Sequence, residues 1–399
     1  MVCAMAKAWR ITKRPGRVTR RLAAAVVAIG LTTVVAPGVA HADGIRDDQW
    51  HLTALKIAEA HQRTQGGNVI VAVVDAGVDV EHQDLAGATL PAVGVNATGS
   101  TTRFDPDGRG TALAGVIAGQ GHGANRDNGV LGVAPAARVL PVVIRPPAGS
   151  TPRPTVDPDL LARGIDLAVQ RGAKVICVGH NVESSDRLRS AIDAALRADA
   201  IVVAADGNRQ GEAFAPFPAA YPGVVAAVPL TRDGTVAVAS GSGRRLGIGV
   251  PGQDIMTTNT GGGYRVDGGI AATGILAGAV ALVRAAYPDL PADEIVNRLT
   301  ATALDLGAPG LDQDSGFGSL DLLAALVRAV PPLRQPSPSA NPSATPAPSA
   351  GAGAPPATEP HRRGPLGWLV ALPLVAVLLT IAWYAVRAER RLLAGRDAG

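Results

Sequence analysis

The stretch that most constrains this chain is Val71-Ala72-Val73-Val74-Asp75-Ala76-Gly77. A run of β-prone apolar residues ends in a carboxylate and then a turn glycine, with Gly66-Gly67 on its upstream side. An unbroken apolar run bounded in this way predicts a strand buried on both faces, as in parallel sheets covered by helices. Asp75 then falls at the strand's carboxyl end, where open α/β sheets place ligands and chemistry. On this stretch alone it reads equally well as the first residue of a turn.

The pattern recurs downstream. Residues 138–144, 174–179, 201–205 and 224–228 read as further strands. Helical periodicity falls between and after them, over 158–171, 271–286, 291–303 and 319–329. Ser185 caps a further helix that reaches Ala198, with Asp186 in its first turn. A single short amphipathic helix is expected over 48–63, anchored by Trp50, Leu52, Leu55, Ile57 and Ala58. Such alternation predicts an α/β fold, a doubly wound parallel sheet with helices on both faces. The sequence is 47% apolar but only 3% aromatic, so the core must be built from Ala, Val, Leu and Ile.

Both termini carry membrane signals. Arg10, Lys13, Arg14, Arg17, Arg20 and Arg21 surround or precede an apolar run over 22–35, and Ala40-His41-Ala42 follows as a cleavage site. This predicts a signal peptide over 1–42 and a mature chain beginning at Asp43. Residues 366–386 are uncharged and apolar, long enough for one transmembrane helix, with Trp368 and Trp383-Tyr384 near its ends. Arg387, Arg390, Arg391 and Arg396 follow it and favour a cytoplasmic tail. The expected organisation is a main domain over 43–330 with an N-terminal extension at 43–66, and a Pro/Ser/Ala-rich linker over 331–363. A C-terminal transmembrane helix over 364–386 and a tail over 387–399 complete it. The expected location is the cell membrane, single-pass, with the main domain extracytoplasmic. Much of the net charge of +4 sits at these two ends, so no nucleic-acid partner is expected. Cys177 is the one cysteine outside the leader, which rules out an intramolecular disulfide in the mature chain. No zinc spacing, EF-hand loop or phosphate-binding loop is present, so no metal or other cofactor is expected.

Four blocks stand in a telling order: Val71-Ala72-Val73-Val74-Asp75-Ala76-Gly77-Val78, Gly108-Arg109-Gly110-Thr111-Ala112-Leu113-Ala114-Gly115, Ala204-Ala205-Asp206-Gly207-Asn208, and Gly268-Gly269-Ile270-Ala271-Ala272-Thr273-Gly274. Together they resemble the aspartate, histidine, oxyanion-asparagine and serine blocks of the subtilisin-like serine proteases. The whole layout, from leader to C-terminal anchor, resembles the mycosins, membrane-anchored subtilases of actinobacterial type VII secretion systems. The resemblance implies a subtilisin-like fold and partners in a type VII secretion membrane complex or among exported proteins. It also implies a site built on Asp75, on Arg109 at the histidine position, on Ile270 at the serine position and on Asn208 at the oxyanion position.

That site is degenerate. The register of Ile270 follows from Ala272, Gly278 and Ala281-Leu282; Gly-Thr-Ser has become Gly-Gly-Ile, and the proline four residues on has become Gly274. A triad needs a nucleophile, a base to take its proton and a carboxylate to orient the base. Arginine stays protonated and cannot be that base. Isoleucine offers no nucleophile. Losing either group from such a triad costs on the order of 10⁶ in turnover. Thr273, His122 and His180 are the residues that would have to substitute, and His82 reads as a loop residue. An ion pair between Asp75 and Arg109, with Ile270 beside it, is expected to fill the emptied site. The alternative is Arg109 turned to solvent and Asp75 held by backbone amides. Three functions follow: an inactive pseudoprotease with a structural or binding role in secretion, an endopeptidase using other residues, or a surface binding module unrelated to secretion.

Overall fold

The computed structural model describes residues 44–95, 105–144, 156–207, 217–237, 246–307 and 310–333. The expected leader, Asn208, the apolar segment over 364–386 and the tail lie outside the described residues, as does the linker beyond residue 333. Among the described residues, no helix is long and apolar enough to cross a membrane.

The N-terminal stretch forms two short helices, α1 (Trp50–Ala54) and α2 (Ile57–His61), where one was expected. Lys56 between them takes a left-handed φ of 52°, which no continuous helix accommodates. The chain continues through β1 (Ile70–Asp75), β2 (Val93–Gly94), α3 (Arg109–Ala118), β3 (Gln120–His122), β4 (Asn128–Leu131) and β5 (Arg138–Val143). Next come α4 (Pro158–Gln170), β6 (Val175–Val178), α5 (Asp186–Arg197), β7 (Ile201–Ala205), β8 (Val225–Leu230) and β9 (Leu246–Pro251). The hairpin β10 (Ile255–Thr258) and β11 (Tyr264–Asp267), then α6 (Ala271–Ala286), α7 (Ala292–Ala301) and α8 (Leu322–Val327), complete the order.

Seven strands form one parallel sheet in the order β2-β5-β1-β6-β7-β8-β9. Side chains alternate across it with the period of two that a strand imposes. Val71 and Val73 face one core, built with α3 and α6; Ala72 and Val74 face the other, built with α4 and α5. The chain leaves β1 for β5 on one side and later returns to β6 on the other. The carboxyl ends of β1 and β6 therefore flank a topological switch point, where such sheets carry their sites.

On the first face α3 and α6 approach closely because glycines line the contact. A methyl group on Gly274 would stand 2.5 Å from Val116 Cγ2 and 3.1 Å from the Leu113 carbonyl oxygen. One on Gly278 would stand 2.8 Å from Val133 Cβ. Gly274→Ala should therefore destabilise by ~1–3 kcal/mol in urea unfolding, against alanine's better helix propensity.

The N-terminal extension is tied into the body by polar contacts. The Gln49 side-chain amide donates to Leu131 O at 3.0 Å and its carbonyl accepts from Leu131 N at 2.8 Å. Arg46 Nη2 donates to Arg126 O at 2.6 Å, and Trp50 Nε1 lies 3.2 Å from Gln253 O. His51 is the exception: it is fully buried and neither ring nitrogen has a hydrogen-bond partner. Burial pushes its pKa down to about 3. The neutral ring is retained in the fold while the unfolded chain takes up a proton below the ordinary value of 6.5. Stability should hence fall as pH drops from about 6.5 towards 3. His51→Phe should flatten that stretch of the stability–pH curve and raise the melting temperature at neutral pH, since it removes two orphan polar atoms.

Candidate functional site

Asp75 ends β1, and the four buried residues before it carry its carboxylate into the interior. It is 1% exposed. Oδ1 accepts from Ala76 N at 2.6 Å. The turn beneath is close to α3, and Gly110 makes that possible: a Cβ there would stand 1.9 Å from Gly77 O and 3.2 Å from Asp75 Cβ. Arg109, the first residue of α3, is thereby brought against Asp75. Gly108 before it has φ 73° and packs under Asn259, where a Cβ would meet Oδ1 at 2.0 Å. Asp107 Oδ1 accepts from Arg109 N at 3.0 Å, an anion at a helix N-terminus.

Arg109 turns inward, not to solvent. Its Nε donates to Asp75 Oδ2 at 3.0 Å, and Nη2 lies 3.4 Å from Asp107 Oδ2. His180, two residues past β6, completes the cluster. Its Nε2 is 3.3 Å from Asp75 Oδ1. Arg109 Nη2 is 3.1 Å from His180 Nδ1 and 2.9 Å from Nε2. Nε2 is the ring nitrogen within reach of Asp75, and Nδ1 and Nε2 both lie within reach of the guanidinium. Burial pushes the Asp75 carboxyl up, but the His180 hydrogen bond and charge, the Arg109 charge and the Ala76 N–H together hold it below the ordinary carboxylate range.

Asp105 stands behind this group. Its Oδ2 accepts from Thr111 N and Thr111 Oγ1, both at 2.7 Å, and Oδ1 is buried without a partner. Burial, reinforced by the charges of Asp75 and Asp107, raises its pKa to about 6 against its Thr111 hydrogen bonds. Asp75, Asp105 and Asp107 each present a carboxylate oxygen, all within 4.8 Å of one another, a spacing that also suits a metal ion. The Arg109 guanidinium bridges Asp75 and Asp107 and supplies the cation there.

Ile270 lies at the N-terminus of α6, positioned by Asp267, whose Oδ1 accepts from Gly269 N at 2.9 Å and Ala271 N at 2.8 Å. A Cβ on Gly179 would be 3.4 Å from both Asp75 Oδ2 and Ile270 Cδ1. The isoleucine side chain thus reaches the same spot as the carboxylate, next to Gly179. Beside Ile270 opens a cavity of about 300 Å³, lined among others by Asn181, Asp206, Gly207 and Thr273. Asn208 lies outside the described residues.

The remaining candidates separate. His180 joins Asp75. His122 instead pairs with Asp84 at 2.7 Å on the β3–β4 hairpin. His82 is a structural loop residue: Nδ1 accepts from Asp84 N at 3.1 Å and Nε2 lies 2.9 Å from Gly263 O. Thr273 reaches the cavity beside Ile270. Cys177 is buried, with its pKa raised by burial and by the charge of Asp75.

The sequence matches the model of the Subtilase family (peptidase S8) over residues 66–318. Mycosin-3 of Mycobacterium tuberculosis is 31% identical over 85% of this chain and 84% of its own length. This chain is a mycosin-like member of the subtilase family. Fervidolysin of Fervidobacterium pennivorans is also 31% identical, over 73% of this subtilase but only 45% of its own length. Among solved structures, a serine protease MycP1, described as an essential component of the type VII (ESX-1) secretion system, superposes with a TM-score of 0.60 at 27% identity, covering 70% of this subtilase and 88% of that chain.

The sequence blocks led to Asp75, Arg109 and Ile270 but placed Arg109 as the sole cation for Asp75. His180 carries no motif signal of its own and entered only as a possible substitute base; the pairing of β6 with β1 is what brings it to Asp75. Arg109→Ala should lower stability at neutral pH by ~1–3 kcal/mol, less than the loss of a buried pair's only partner because His180 stays. The depressed Asp75 carboxyl stabilises the fold above its unfolded pKa, and that share is lost as pH falls through the folded one. The variant, with a less depressed Asp75, should lose less stability than the parent between pH 5 and 2 in urea titrations.

Proposed function

We propose that this subtilase does not cleave peptide bonds and serves as a membrane-anchored structural or binding component associated with a type VII secretion complex. The observation that carries this reading is the Arg109 guanidinium seated on Asp75 and His180. Peptide hydrolysis by this family's chemistry requires a base at that place, and a permanently protonated donor cannot take a proton. At the serine position Ile270 presents only an alkyl side chain. His180 pairs with Asp75 as a triad histidine would, yet its Nδ1 is engaged by Arg109 and no described hydroxyl or thiol touches its ring. Asn208 at the oxyanion position has no covalent intermediate to stabilise without a nucleophile.

The secretion context rests on relatives: the MycP1 structure is described as a component of the type VII system, and Mycosin-3 covers most of this chain. Anchoring rests on the apolar segment over 364–386 and export on the leader over 1–42. The full-length chain in detergent should leave casein and fluorogenic peptides uncut and should take up no fluorophosphonate label. Hydrolysis that disappears in Asp75→Ala would overturn the non-cleaving reading. Co-purification with type VII membrane components from solubilised native membranes tests the second half, and recovery of the chain free of them would count against it.

A further inference from the structure

His51 is fully buried, and neither of its ring nitrogens has a hydrogen-bond partner. The fold holds such a ring neutral, and the ring gains its proton only when its segment leaves the body. That segment is separable at one point. Residues 44–55 precede Lys56, whose left-handed φ of 52° breaks α1 from α2. Beyond the break, Ile57 and Ala60 are sealed in the core, and His61 Nε2 lies 2.9 Å from Val133 O. Before the break, Leu55 is buried, but Trp50 and Leu52 only lean on the core. The polar ties of this arm run to backbone groups. Gln49 bonds Leu131 N and O, Arg46 Nη2 the Arg126 and Asn128 carbonyls, and Trp50 Nε1 the Gln253 and Asp254 carbonyls. Ties of this kind are readily exchanged for water, so a terminal arm opens locally at less cost than the whole domain.

Charged groups stand around the arm without compensating the imidazole. Asp47, Asp48 and Lys56 on its own segment are exposed, as are Glu59 of α2 and Arg63 just after it. Arg46 reaches the β3–β4 hairpin, where Arg126 and Asp127 are exposed and His122 is paired with Asp84. Arg232 lies over the Trp50 ring at 5.5 Å, and Asp254 beside it is exposed. The helix packed on α2, α8, is Leu-Leu-Ala-Ala-Leu-Val and carries no charge. Burial alone lowers the His51 pKa, to about 3 from 6.5, so release is favoured as pH falls from 6.5 towards 3. His61 is lowered by burial too, but its bond to Val133 O opposes that shift and favours α2 staying in place. We propose that residues 44–55 form an arm that closes on the body at neutral pH and swings free about Lys56 in mild acid, with His51 as the releasing group. Release bares the Leu131 N–H and carbonyl that Gln49 covers.

The test is amide hydrogen exchange, read by mass spectrometry, on the full-length chain in detergent at pH 7.5 and pH 5, corrected for the intrinsic exchange rate at each pH. Fragments spanning Leu52 and Leu55, whose N–H groups bond Gln49 O and His51 O, report on the arm. Fragments spanning β1 and β7 report on the sheet. Arm protection should fall about 30-fold between the two pH values, the factor that one histidine released from burial contributes at pH 5. At both pH values the arm should be at least about tenfold less protected than the sheet, which separates its release from unfolding of the domain. His51→Phe should remove most of the pH dependence and leave sheet protection at pH 7.5 undiminished. Should His51→Phe fail to fold, His51→Leu takes its place, and the parent chain's own arm-against-sheet comparison decides if neither folds. Arm protection that does not change with pH overturns the proposal. So does an arm as well protected as the sheet, or a fall that persists in full without His51.

Discussion

A carboxylate buried at the end of a central strand has to be neutralised where it stands, because taking its charge out of water costs more than the fold's whole margin of stability. Asp75 is such a group. Its two oxygens receive a backbone N–H from Ala76, the Nε of Arg109 and the imidazole of His180. These donors come from three separate segments: the turn after β1, the first residue of α3 and the end of β6. Holding them together requires the backbone of α3 to come closer to the turn after β1 than a side chain would allow, which is why a glycine stands at 110.

The second constraint is the packing of α3 on α6. Thr257 and Thr258 of β10 donate to the Ala112 and Thr111 carbonyls, so the hairpin braces the first turn of α3. Asp267, at the end of the same hairpin, caps the start of α6. One hairpin thus sets the positions of Arg109 and Ile270 together. The frame presents the site whatever side chains stand in it, and on the reading proposed above two of them differ from those that the family's chemistry uses. A cleft can therefore persist as a binding surface without the reaction, since shape depends on backbone and packing, whereas catalysis depends on a few atoms.

Much of the architecture is legible in local patterning. The 138–144, 158–171, 174–179, 201–205 and 271–286 expectations each coincide with an element to within two residues at either end. Their apolar periodicity is strong, and caps such as Ser185, whose Oγ accepts from Leu188 N at 3.1 Å, lie in the sequence itself. The departures occur where local signal is weak. The break at Lys56 needs a left-handed residue that is neither glycine nor asparagine, and the β10–β11 hairpin is held by threonine bonds to a helix more than a hundred residues earlier.

Residue identity alone decided that position 270 offers only an alkyl group and position 109 a permanently charged guanidinium, because chemical capacity is a property of the side chain wherever it sits. The strand carrying Asp75 was equally determined, since a run of Val and Ala ending in a carboxylate has few other places to go. Only the tertiary structure decided that Asp75 has two side-chain partners, that His180 is one of them and that His122 is not. It alone left Thr273 buried without a bond, facing a cavity shared with Asp206. Those outcomes depend on which strand lies next to β1 and how near α3 comes to it, and long-range pairing of this kind leaves no local trace in the chain.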